Sequence, residues 1–280
     1  MRARPMMRYA EYRNAMLARL LAAGATAVLS FAFAAARLPA ADTPEFAKLK
    51  PAFEDPAQGW QSLYQGKGLD QWSPLKHAAS PPKPNDWLAP ASVSLDTAAQ
   101  PGLARSEYSL SKVSPSGSSP GSASAPAFVN NREGRSDNLI TKQSYRDVEL
   151  YVEFMVAPGS NSGVCLMGIY EIQIRDSYGR TKLKYGDNGG IYARVVKEQR
   201  VGGEPPRVNA SRRPGQWQSF HIWFQAPLFD TEGKKLRNAR FLRIEHNGVQ
   251  IHGDYELPGS TRGRSPWEEK PAAPLLLQGD

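Results

Sequence analysis

From Asp147 to Val156 apolar residues take every second place: Val148, Leu150, Val152, Phe154 and Val156 alternate with Asp147, Glu149, Tyr151 and Glu153. That period of two predicts a strand with one face on a core and the other toward polar surroundings. Shorter runs predict further strands at Asn138 to Thr141, Gly163 to Met167, Tyr170 to Arg175, Gly190 to Arg194, Trp217 to Gln225, Ala239 to Glu245 and Val249 to Tyr255. His246-Asn247-Gly248 joins the last two, and Asn-Gly suits a tight hairpin because both central residues tolerate positive φ. No helical period of any length separates these runs, so the pattern predicts an all-β sandwich of two antiparallel sheets. No repeat at a propeller or solenoid period is present.

Before Asp137 the pattern is looser. Trp60 to Tyr64 reads as a short strand ended by Gln65-Gly66-Lys67-Gly68. Residues 73 to 134 shift to Ser, Pro, Ala and Gly and are expected to be mostly loop, with short strands at Trp87-Leu88 and Tyr108 to Leu110. Residues 42 to 58 read as a linker with one helical turn near Pro44 to Leu49.

The first 41 residues read as a secretory signal. An Arg-bearing start precedes Leu20 to Ala36, which holds only apolar, small and hydroxyl residues and offers small-x-small cleavage sites at Ala32-Phe33-Ala34 and Ala34-Ala35-Ala36. An uncleaved membrane anchor is the alternative. Cleavage predicts a secreted or periplasmic protein with no membrane contact thereafter. The formal charge is +8, and five of those charges fall in residues 1–41. What remains lacks a basic stripe interleaved with aromatics, so nucleic acid is not an expected partner.

Cys165 is the only cysteine, which rules out an intrachain disulfide. Its setting in Val164-Cys165-Leu166-Met167 predicts a buried apolar role. His77, His221, His246 and His252 show no metal-ligand spacing, and each reads as structural or exposed, with His246 in a turn. Asp187-Asn188-Gly189 is better explained as turn chemistry than as a calcium loop.

Candidate chemistry gathers in Asn161-Ser162-Gly163 and in Tyr170-Glu171-Ile172-Gln173-Ile174-Arg175-Asp176-Ser177-Tyr178-Gly179. With Ile172 and Ile174 on the core, Glu171, Gln173 and Arg175 share the opposite face. Asp176 joins Glu171 and Gln173 only through a bulge, which would set two carboxyl groups around an amide, the layout of acid/base sugar chemistry. Without a bulge, Arg175 takes that place and sets a cation beside the carboxylate. In the loop Asn209-Ala210-Ser211-Arg212-Arg213-Pro214-Gly215-Gln216-Trp217, Asn209 and Arg212 are candidate donors to sugar oxygens, set against a plain Pro-Gly turn.

At these residues the sequence resembles the 3-keto-disaccharide hydrolase domain family. The matching stretches are Trp60 to Trp72, Ser160 to Val164, Tyr170 to Gly179, Gly189 to Tyr192, Pro206 to Trp217 and Pro274 to Asp280. They span residues 59–280, interrupted by the Ser/Pro-rich insertion. The resemblance implies a concanavalin-like jelly roll with its ligand in the concave groove. It also implies cleavage of glycosides whose sugar carries a ketone at carbon 3. Glu171-x-Gln173-x-x-Asp176 is similar, too, to the catalytic strand of laminarinase-type glucanases, with Gln173 where those have Asp. His221 stands where the family more often has an acidic or neutral residue. Relatives continue past Leu277-Gln278-Gly279-Asp280 with a final strand, whose loss is expected to leave a sheet neighbour unpaired.

A ketone at carbon 3 acidifies the proton on carbon 2, so elimination followed by hydration is the mechanism implied. Glu171 is the expected base, Asp176 the acid or a ligand to a divalent metal ion, and Gln173, Asn161 and Arg212 the donors. Arg175, Tyr192 and Asn209 complete the expected contacts to an oxidised glycoside. The competing readings are a non-catalytic lectin stacking sugars on Trp87, Tyr178 or Tyr192, and a glycosidase acting on unoxidised sugars.

Overall fold

The computed structural model of the protein describes residues 1–5, 57, 59–63, 69–75, 87–88, 129–130, 136–261 and 267–279. The strands are β1 (Arg2–Pro5), β2 (Gln61–Ser62), β3 (Trp72–Leu75), β4 (Trp87–Leu88), β5 (Val129–Asn130), β6 (Asn138–Tyr145), β7 (Val148–Phe154), β8 (Asn161–Leu166) and β9 (Tyr170–Arg175). They continue as β10 (Arg194–Val196), β11 (Gln199–Val201), β12 (Gln218–Gln225), β13 (Leu228–Phe229), β14 (Lys235–Arg237), β15 (Ala239–His246), β16 (Val249–His252), β17 (Tyr255–Leu257) and β18 (Ala273–Leu277). One large sheet runs β16-β15-β12-β7-β1-β2, with β17 also on β15; the second runs β3-β6-β18-β8-β9, and β4-β5, β10-β11 and β13-β14 form two-stranded sheets beside them. Every strand pairing is antiparallel. This is the all-β jelly-roll sandwich.

The alternation in β7 does what the sequence requires. Val148, Leu150, Val152 and Phe154 are buried against Phe220, Ile222 and Phe224 of β12 and the inward residues of the opposite sheet. Tyr170 of β9 meets Phe224 of β12 with ring centroids 5.4 Å apart, so aromatic packing joins the two layers directly. Among the described residues no helix is long and apolar enough to cross a membrane.

Most of the expected strands are present with shifted limits. The run at Gly190 to Arg194 is not a strand: only Ile191 bridges, to Ile172 and to Glu204, and the next strand is β10. Val249 to Tyr255 is divided at Gly253-Asp254 into β16 and β17, both pairing β15. His246 is the buried last residue of β15, and the turn itself is Asn247-Gly248, with φ of 52° and 78°. β3 enters the start of the segment expected to be loop, whereas Tyr108 to Leu110, the turn near Pro44 to Leu49 and His77 lie outside the described residues.

β1 belongs to the segment read as a leader, yet it lies between β7 and β2, with Ala3 in the core. Among the described residues, β2 reaches the sheet only through it. Arg4 fixes β1 by donating from Nε and Nη2 to Glu149 Oε2, both at 2.8 Å, while Glu149 Oε1 meets His221 Nε2 at 2.8 Å. Burial alone would raise the Glu149 pKa, but the hydrogen bonds from His221 and Arg4 outweigh it and hold the carboxyl below its ordinary range.

His246 and His252 are the opposite case. Burial, reinforced by the Arg212 charge, pushes His246 down to about 3. Burial pushes His252 down to about 4, although its bond to the Gly189 carbonyl works the other way. Both are neutral at physiological pH and gain protons only on unfolding. Their contribution is therefore complete above about pH 6.5, the ordinary histidine value, and is lost as pH falls toward the folded pKa. Denaturant titrations are expected to show each histidine removing about 2 kcal/mol of stability between pH 7 and pH 5. His246→Gln is expected to flatten that slope. An unchanged slope in the variant would contradict the assignment.

Candidate functional site

The β8–β9 hairpin turns on Met167-Gly168, with φ of 53° and 71°, and the Ile169 amide donates to the Leu166 carbonyl at 3.2 Å. Positive φ at both central residues matches the natural twist of two antiparallel strands. From that turn the register runs unbroken: Leu166 faces Tyr170, Cys165 faces Glu171, Gly163 faces Gln173 and Asn161 faces Arg175. No bulge intervenes, so Arg175 and not Asp176 shares the face of Glu171 and Gln173.

Neighbouring strands complete the grid. On one side the Gln278 amide donates to the Gly163 carbonyl at 2.9 Å, continuing the pairing of Leu277 with Val164. On the other, Ile172 bridges Ile191, the Gln173 amide donates to the Gly190 carbonyl and the Tyr192 amide to the Glu171 carbonyl. Gln278, Gly163, Gln173 and Gly190 therefore form one row across the sheet. Leu276, Cys165, Glu171 and Tyr192 form the next.

Two glycines open that face. A Cβ at Gly163 would lie 2.8 Å from Glu171 Oε1, 3.2 Å from its Cγ and 3.0 Å from Gln278 Oε1. The Glu171 side chain thus leans across Gly163 toward Gln278 in space that any other residue would fill. At Gly190 a Cβ would strike the Tyr185 carbonyl. Gln173 is held within this frame, its Nε2 donating to Asn161 Oδ1 at 2.8 Å, to the Ser162 carbonyl at 2.9 Å and to the Ile174 carbonyl at 3.1 Å. With Oδ1 turned to Gln173, the Asn161 NH2 points away from it. Glu171 and Gln173 are buried, at 5% and 2% exposure, although they face away from the sandwich core.

Arg175 apart, the remaining expected residues do not share this face. Asp176 accepts from the Gly159 amide at 3.0 Å and from the Tyr178 amide at 3.4 Å, closing the turn before β8. Arg175 reaches the Gly186 carbonyl at 3.5 Å. Asn209 Nδ2 donates to the carbonyls of Ser177 and Arg180, tying its loop to the one after β9. The Arg212 amide donates to Gln218 Oε1 at 3.0 Å, and Arg212 Nη1 donates to the Trp217 carbonyl at 2.9 Å. Trp87, a candidate stacking residue, gives its indole N–H to the Asp137 carbonyl at 2.6 Å. Tyr178 is exposed, and Arg213 Nε donates to its hydroxyl at 3.1 Å.

A buried network sets these loops. Gln218 Oε1 accepts from Arg212 N, Asn188 Nδ2 and His246 Nε2, and Asn188 Oδ1 accepts from the Arg175 amide. The Gly189 amide then donates to the Gln173 carbonyl at 2.7 Å, so the network ends on the site strand itself. Asp187 accepts from Lys184 N and Ser177 Oγ and pairs with Arg180, the turn chemistry expected of Asp-Asn-Gly. Cys165 is wholly buried. Among the described residues no group of three or more His, Cys, Asp or Glu is placed to hold a metal ion.

Gln278, Asn188 and Gln218 were not singled out from sequence as site residues. Gln278 lies one residue beyond β18, and the chain carries no local pattern that pairs it with Gly163.

No curated protein matches the sequence. Among solved structures, one described as a putative glycosyl hydrolase from Parabacteroides distasonis ATCC 8503 has 22% identity and a TM-score of 0.49, covering 79% of this chain and 76% of its own. A second from that organism, described in the same words, has 21% identity and a TM-score of 0.34, covering 51% of this chain and 75% of its own. The family model for the 3-keto-alpha-glucoside-1,2-lyase-like domain matches residues 59–280. The chain belongs to that family, and so to a group of glycoside-acting domains.

Proposed function

We propose that the protein cleaves 3-keto-glycosides by elimination followed by hydration, with Glu171 as the base. The observation that carries this reading is the Glu171 carboxylate, buried, leaning over the space left by Gly163 and flanked by the amides of Gln173 and Gln278. Such a carboxylate can take the proton from carbon 2 of a sugar laid over Gly163. The electron pair of that C–H bond moves into the bond between carbons 1 and 2 as the bond from carbon 1 to the aglycone oxygen breaks. The ketone at carbon 3 stabilises the charge between these events, and the Asn161 NH2 is the amide donor we assign to it. The expelled oxygen takes a proton from water. A water then adds its hydroxyl to carbon 1 and a proton returns to carbon 2, so the sum is glycoside plus water giving sugar plus free aglycone.

Double displacement on an unoxidised sugar asks instead for a second carboxyl on the same face. Asp176 caps a turn on the other parity, which favours the single-carboxylate chemistry. We also propose that the protein acts outside the cytoplasm, which the signal-like run Leu20 to Ala36 supports. Cleavage there would remove β1, opening the edge of β7 and detaching β2.

Glu171→Gln is expected to lower aglycone release from a chromogenic 3-keto-glucoside by 100-fold or more while the protein stays folded. Full activity in the variant would remove Glu171 from the base role. Release from neither the keto form nor its unoxidised parent by the folded wild type would favour a lectin. Gly163→Ala is expected to displace the carboxylate and cost at least tenfold in turnover, with the thermal midpoint moving by only a few degrees. Undiminished turnover would show that the position of Glu171 over Gly163 does not matter.

A further inference from the structure

We infer that Tyr192, with Tyr185 and Arg200, forms the subsite for the group leaving the sugar, and that this subsite takes a planar aromatic aglycone. The inference rests on the reading that Glu171 marks the reacting centre. Three features of the structure support it.

The first is direction. Glu171 leans from β9 toward Gly163 and Gln278, so the sugar belongs on that side. Tyr192 stands in the same row on the other side of Glu171, fixed there by the hydrogen bond its backbone amide donates to the Glu171 carbonyl at 3.1 Å. A substituent projecting across β9 from the reacting carbon reaches Tyr192 first.

The second is that the aromatic pair is built, although it adds nothing to the core. Tyr185 and Tyr192 pack edge to face, with centroids 5.4 Å apart and planes at 89°. Neither belongs to the hydrophobic core cluster or to the residues packed against it. Gly203, at φ 86°, lets the Tyr185 ring sit where it does, since a Cβ would come within 2.8 Å of Tyr185 Cγ. Two half-buried rings packed edge to face, one of them seated over a glycine, beside the row of Glu171 can serve as a stacking platform.

The third is charge. Arg200 Nη1 donates to the Tyr192 hydroxyl, and the guanidinium also bonds the Tyr185 hydroxyl and lies 5.2 Å from the Tyr192 ring centroid. A guanidinium over an aromatic ring favours a second planar π-system carrying an electron-rich oxygen. A phenolic aglycone has both features, whereas an alkyl aglycone has neither. The β10–β11 hairpin brings Arg200 here by turning on Lys197-Glu198, both at positive φ.

Calorimetry with unoxidised p-nitrophenyl α-D-glucoside and methyl α-D-glucoside tests the subsite without turnover. The aryl glucoside is expected to bind at least tenfold more tightly, and Tyr192→Ala and Arg200→Met are each expected to reduce that ratio at least fivefold. Equal affinities, no binding of either sugar, or a ratio that both variants leave intact would overturn the inference. The same aryl and methyl pair as 3-keto-glucosides gives the second arm, read as the split between KM and kcat. An aryl preference in binding without release from the keto form would sink the elimination reading and leave the aromatic subsite standing. Release from both keto forms with equal KM would do the reverse.

Discussion

The Glu171 carboxylate can lie where it does only because position 163 carries no side chain. Its oxygen is 2.8 Å from the place of the missing Cβ, closer than a real Cβ tolerates. Everything proposed for the site depends on that vacancy staying opposite Gln173, and so on the register of one hairpin. A slip of one residue would turn Ile172 and Ile174 to the groove and Glu171 to the core. The Met167-Gly168 turn fixes the register at one end, and the Gln173 amide, bonded to both Asn161 and Ser162, locks it at the other.

The rest of the sandwich serves to hold this hairpin still. Tyr170 anchors it to the opposite sheet through Phe224. The Gln218 and Asn188 side chains connect the loop before β12 to the loop after β9 and end on Gln173. Burial keeps the His246 ring of this network neutral, with Nε2 turned to Gln218 Oε1. Buried hydrogen bonds of this kind favour one loop arrangement, because breaking them leaves polar groups unsatisfied at a cost of about 1–3 kcal/mol each.

Much of this was legible in the sequence where period alone decides the outcome. The alternation of β7, the Asn247-Gly248 turn and the shared face of Glu171, Gln173 and Arg175 all follow from two-residue parity and turn sterics. What depends on pairing between distant segments was not legible. Gln278 comes beside Gly163 only when β18 inserts between β6 and β8, and nothing near residue 278 encodes that neighbour. Arg200 joins Tyr192 through a hairpin whose turn, Lys197-Glu198, lacks the Gly or Asn that usually signals one. Arg4 of β1 finds its partner 145 positions away in Glu149, which no local pattern encodes. Asp176 remained open because a bulge cannot be read from spacing, and the unbroken ladder decided it.

The central claim is that cleavage begins with removal of the proton on carbon 2 by Glu171. The most direct test is to incubate the protein with a 3-keto-glucoside in deuterated water and follow carbon 2 of the recovered sugar by NMR against an enzyme-free control. The account predicts that every released sugar carries solvent deuterium at carbon 2, and that Glu171→Gln suppresses incorporation and release together. Rapid release of a sugar retaining its original proton at carbon 2 would contradict it.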